Sequence, residues 1–147
     1  MVRFLPYILG IVAGFGLSVQ VGMNSQLRRT LQNANSAALI SFLVGTAGLL
    51  VLLLVTRAEM PSRDTFASVP LWAWFGGLLG AFYVASSTVV ASQLGTSSLL
   101  ALALLGQLAT ALVIDHFGWL GLPEVPLTLT RLSGVGLLAA GVWLITR

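Results

Sequence analysis

The sequence predicts an all-α integral membrane protein with five transmembrane helices. Three observations predict it. Of 147 residues, 57% are hydrophobic and only 7% are charged, where a soluble domain carries about a quarter. Such a chain cannot cover a water-facing surface. Five apolar stretches approach or reach the roughly 20 residues that a hydrocarbon core about 30 Å thick asks of a helix. The segments between and flanking them hold Pro61, Pro70, Pro123 and Pro126 and every charged residue except Asp115.

The first span covers about residues 4–26. It is read as a retained helix and not as a cleaved signal, because it runs on into Gln20, Asn24 and Gln26 without a small-residue cleavage site. The second covers about 36–55. A polar loop at 58–69, bounded by Pro61 and Pro70, separates it from the third, about 71–92. Trp72 and Trp74 open the third span where interfacial aromatics belong, and Trp119 and Trp143 lie near other helix ends. A tight turn at 93–96 around Gly95 leads to the fourth span, about 98–117. The segment 119–130 holds two prolines, and Thr130 is expected to cap the fifth and shortest span, about 132–145. No five-helix pattern repeats, so one domain over residues 1–147 is expected.

Five spans put the chain ends on opposite faces. Arg3, Arg57, Arg63 and Arg131 then share one face, and Arg28, Arg29 and Arg147 the other. The positive-inside rule normally gives a clear excess, and four against three is nearly none. Two readings stand: one weakly biased topology, or insertion in both orientations with antiparallel pairing of two copies.

Several chemistries are absent from the pattern. There are no cysteines, and no phosphate loop, dinucleotide fingerprint, metal-ligand spacing or paired carboxylates. The arginines are scattered, with no run beyond Arg28 and Arg29. An enzyme, a cofactor, a bound metal and a nucleic-acid partner are therefore not expected.

Polar side chains inside a span are expensive and mark helix contacts or a pathway. Gln20 and Asn24 share a face of the first span, Asn24 nearer to water. Either they line a pathway or they hydrogen-bond between helices, which is worth about 0.6–2 kcal/mol per contact. Tyr83 sits near the middle of the third span, away from the interface that tyrosine prefers. Gly76 and Gly80 below it form a small-residue pair suited to close helix approach.

The fourth span carries Gln107, Ala111 and Asp115 on one face. Gln107 lies near the midplane. Asp115 is about 25 Å along the helix at 1.5 Å per residue, close to the far interface. A carboxylate at a helix C-terminus opposes the macrodipole, so Asp115 calls for a partner, with Arg131 or Arg57 on the same face. A structural ion pair is one reading and a proton-coupling role the other. His116 beside it is read as a polar anchor.

Certain blocks have a familiar order. The first span ends in N-S-Q-L-R-R at 24–29, and S-F-L-V-G-T follows at 41–46. G-G-L-L-G-A-F-Y-V stands at 76–84, L-L-G-Q-L and I-D-H-F-G in the fourth span, and L-T-L-T-R-L-S-G-V-G-L-L-A-A-G at 127–141. Together they resemble the YdcZ family of the drug/metabolite transporter superfamily over nearly the whole chain. The resemblance implies a half-size transporter equivalent to one five-helix repeat. A site at the midplane between repeats needs two of them, which implies an antiparallel homodimer or a separate partner half. It also implies a bacterial inner-membrane location.

The expected activity is secondary transport, as an exporter, of a small organic solute by alternating access. Gln20, Tyr83 and Gln107, with Asn24, are the expected substrate contacts. No carboxylate lies near the midplane, so a neutral or zwitterionic substrate is expected. A small dual-topology channel and a non-transporting membrane subunit are the alternatives.

Overall fold

A computed structural model describes residues 4–147; Arg3, counted above, lies outside them. Five helices are long and apolar enough to cross a membrane. Helix α1 is Leu5–Leu31, α2 Ala34–Thr56, α4 Gly76–Leu94, α5 Thr96–Phe117 and α6 Leu129–Thr146. A short helix α3, Arg63–Ala67, and a 3-10 turn, Leu71–Phe75, lie between α2 and α4. A second 3-10 turn, Trp119–Gly121, follows α5. The chain divides into two compact units, one running to Val89 and one from Val90 to Arg147.

In the first unit, α1 and α2 pack together across the connection Gln32–Asn33. Gln32 takes a left-handed backbone at φ 52°, and the Asn33 side chain accepts the Ser36 N–H at 3.0 Å to cap α2. The buried positions of this unit are mostly small or polar: Val21, Asn24, Ser25, Ala37, Ala38, Val84, Ser87 and Thr88. Small residues let backbones approach closely where lipid supplies no hydrophobic drive. Ser87 and Thr88 donate to the carbonyls of Val84 and Ala85, each at 2.8 Å, and so satisfy themselves within α4. Most leucines, valines and phenylalanines face outward, as suits helices solvated by lipid chains.

Several element ends differ from the sequence reading. Helix α1 continues to Leu31, so Arg28 and Arg29 sit in its last turn and not beyond it. Arginine is a good helix former, and its charge complements the helix C-terminus. Helix α6 is capped by Thr128 and not by Thr130: Thr128 is extended and its hydroxyl accepts the Arg131 N–H at 3.2 Å. Thr130 already lies inside the first turn. The loop at 58–69 contains α3, capped by Ser62 through the Thr65 N–H. Only Gly95, at φ 84°, separates α4 from α5.

The second unit is built on α5 against α6. Trp119 stacks on Phe117 with ring centroids 5.2 Å apart. At the far end of α6, the Arg147 guanidinium lies 3.8 Å over the Trp143 ring.

Candidate functional site

A small pocket of about 210 Å³ lies in the first unit, lined by Gln20 of α1 and by Ser41, Phe42, Gly45, Thr46 and Leu49 of α2; its wall is mostly apolar and carries one amide and two hydroxyls. Helical spacing explains the α2 wall: positions 41, 45 and 49, and 42 and 46, recur every four residues on one side. Gly45 at its centre opens space, since an added Cβ there would meet nothing within 4 Å. Gln20 is 11 residues before the end of α1, about 16 Å along the axis. Ser41 and Thr46 are 7 and 12 residues into α2, about 10 and 18 Å from its start. Because α1 and α2 meet at one end, these depths coincide, near the middle of a core about 30 Å thick.

The chemistry on offer is an amide and two hydroxyls. Among the described residues none of these three side chains is hydrogen-bonded to another protein group. No charged side chain lines the pocket. It suits an uncharged or internally balanced polar group, which needs donors and acceptors but no counter-ion.

Phe42 has a second face. It also lines an apolar groove of about 670 Å³ between α2 and α4, walled by Asn35, Ala38 and Leu39 on one side and by Leu78, Leu79, Ala81, Phe82 and Ala85 on the other. Phe42 reaches α4 at Gly80, where an added Cβ would stand 3.3 Å from the ring Cζ. Gly76 makes no such approach: a Cβ there would meet nothing within 4 Å.

None of the other residues singled out in the sequence is among the residues that line this pocket. Asn24 is buried, only 4% exposed. Tyr83 is half-buried, and its shielded hydroxyl has no hydrogen-bond partner. Gln107 is exposed on α5 and lines neither cavity. Sequence reasoning missed Ser41, Phe42 and Thr46 as site residues. The signal was the spacing within S-F-L-V-G-T, which gathers a hydroxyl, a glycine and a second hydroxyl beside one ring.

In the second unit, Arg131 Nη2 donates to Asp115 Oδ2 at 2.5 Å, and both side chains are about one-third exposed, 32% and 28%. Arg131 Nη1 donates to the Val125 carbonyl at 3.2 Å, and the Val125 N–H donates to the Asp115 carbonyl at 2.8 Å. The three residues form a closed loop of contacts that ties the α5–α6 connection to both helices. His116 takes no part in it; its ring, exposed, tilts against Phe117 at 4.8 Å. Among the described residues, no group of acidic, histidine or cysteine side chains is arranged to hold a metal.

Comparison with known proteins agrees with this architecture. Residues 5–144 match the family model described as "Putative inner membrane exporter, YdcZ". The chain is 30% identical over 137 residues to the "Inner membrane protein YdcZ" of Escherichia coli (strain K12), covering 93% of this chain and 91% of that protein. No solved structure matches it. Five helices able to span a membrane, and a family match over nearly the full length, lead to one statement: this chain is a member of the YdcZ family, an inner-membrane protein of the transporter class and not an enzyme.

Proposed function

We propose that the chain is one half of a secondary transporter that exports a small neutral or zwitterionic organic solute by alternating access. Two copies paired antiparallel supply the two repeats that such a cycle uses. The observation that carries this reading is the uncharged pocket that brings the Gln20 amide and the Ser41 and Thr46 hydroxyls together near the middle of their helices. Polar groups at that depth are costly unless they face a pathway or a partner. The nearly even arginine count on the two faces supports the antiparallel pairing. Gln107, exposed in the middle of an apolar helix, is a polar group that a second copy would cover.

The test is the solute profile of cells that express the protein, compared with cells expressing the Gln20→Leu form. One or more neutral or zwitterionic solutes are expected to accumulate in the medium only with the unaltered chain. No difference, or a difference confined to permanently charged solutes, would overturn the proposal.

A further inference from the structure

The two cavities of the first unit share one residue. Phe42 lines both the small pocket beside α1 and the apolar groove beside α4. The ring lies over Gly80, where an added Cβ would stand 3.3 Å from its Cζ. The groove is walled by leucine, alanine and phenylalanine, with Asn35 its one polar lining residue. It runs from Asn35 to Phe42 along α2, about 10 Å at 1.5 Å per residue, and from Leu78 to Ala85 along α4. Leu39, Leu78, Leu79 and Phe82 are all exposed, so the groove is reached from the lipid.

A wholly polar solute has no use for such a groove, and a wholly apolar one has no use for the amide and hydroxyls beside Phe42. We infer that groove and pocket form one bipartite site for a compact amphiphile. Its apolar body lies between α2 and α4, and its uncharged hydrogen-bonding head reaches Gln20, Ser41 and Thr46 alongside the Phe42 ring that both spaces share. This deepens the transport reading on which it rests: the solute is taken from the bilayer and is neutral and amphipathic.

The test uses the full-length protein in phosphatidylcholine vesicles and two photoreactive probes. One is a medium-chain aliphatic alcohol bearing a diazirine in the chain; the other is the same chain without the hydroxyl. Cross-links are mapped by mass spectrometry. The alcohol is expected to label the segments 35–42 and 78–85 about fivefold more than the headless chain, the factor for one net hydrogen bond of about 1 kcal/mol. Ser41→Ala combined with Thr46→Val is expected to bring the alcohol down to the level of the headless chain. Unchanged labelling by the headless chain in that variant reports an intact groove. Phe42→Leu, which thins the wall, is expected to keep or raise alcohol labelling.

Equal labelling by both probes would overturn the inference, as would alcohol labelling indifferent to Ser41 and Thr46, or alcohol labelling lost in Phe42→Leu. Solute export without selective labelling sinks this inference and leaves the transport reading intact. Selective labelling without any exported solute does the reverse.

Discussion

Phe42 of α2 and Gly80 of α4 meet ring to backbone, with the Phe42 Cζ 3.3 Å from where a Cβ on residue 80 would stand. The same ring lines both the small pocket beside α1 and the apolar groove beside α4. Gly80→Ala forces the ring to shift by a few tenths of an ångström or the helices to part. Overpacking of this kind costs about 1–3 kcal/mol. The expected outcome is a lower unfolding midpoint for Gly80→Ala, with most of the loss recovered when Phe42→Leu is added. A double-mutant cycle checks it, and additive effects would contradict the contact.

The pair of Asp115 and Arg131 is partly exposed, and solvent screening limits its worth to about 1 kcal/mol or less. Asp115→Asn is therefore expected to lower stability slightly and to leave export intact. Arg131→Met is expected to cost more, because it also removes the hydrogen bond to the Val125 carbonyl. Export and thermal unfolding measured on the same preparations check both. Loss of export in a normally folded Asp115→Asn protein would assign this carboxylate to the transport cycle.

Gly118 ends α5 in a left-handed conformation at φ 59°, and a Cβ there would stand 2.6 Å from the Glu124 Cγ. Gly118→Ala combines an unfavourable backbone, about 1–2 kcal/mol, with a clash against a side chain that can swing away. The expected result is a clear loss of stability that Glu124→Ala relieves only in part. Complete recovery by Glu124→Ala would mean that the backbone term is absent.

Antiparallel pairing predicts two populations of chains in one membrane. The chain contains no cysteine, so Thr146→Cys gives a single label site. About half the molecules are expected to react with a membrane-impermeant thiol reagent in intact cells, and all of them after permeabilisation. All-or-none reaction in intact cells would contradict the pairing.

The five spans were legible because the bilayer's demand for about 20 apolar residues is written in composition. Their ends were less so. Arg28 and Arg29 read as lying beyond the first span, yet they continue α1 as helix formers, and Asn24 is buried within the protein. Thr128 and Thr130 are equally good caps by residue type, and only the backbone distinguishes them. Gln20 stood out because an amide in mid-span is expensive. Ser41 and Thr46 did not, since hydroxyls in helices often satisfy themselves on their own backbone. Which face of α2 meets α1 depends on the register of the two helices, which neither helix carries alone.

The central claim is that Gln20, Ser41 and Thr46 hold the solute's polar group. The most direct measurement is efflux of the solute found by profiling, from cells expressing the Ser41→Ala, Thr46→Val protein. The two changes remove both hydroxyls with little change in volume. We predict a loss of at least about tenfold in efflux, equivalent to 1.4 kcal/mol and within reach of two hydrogen bonds, with expression and unfolding midpoint unchanged. Undiminished efflux would contradict the account and place the solute elsewhere in the chain.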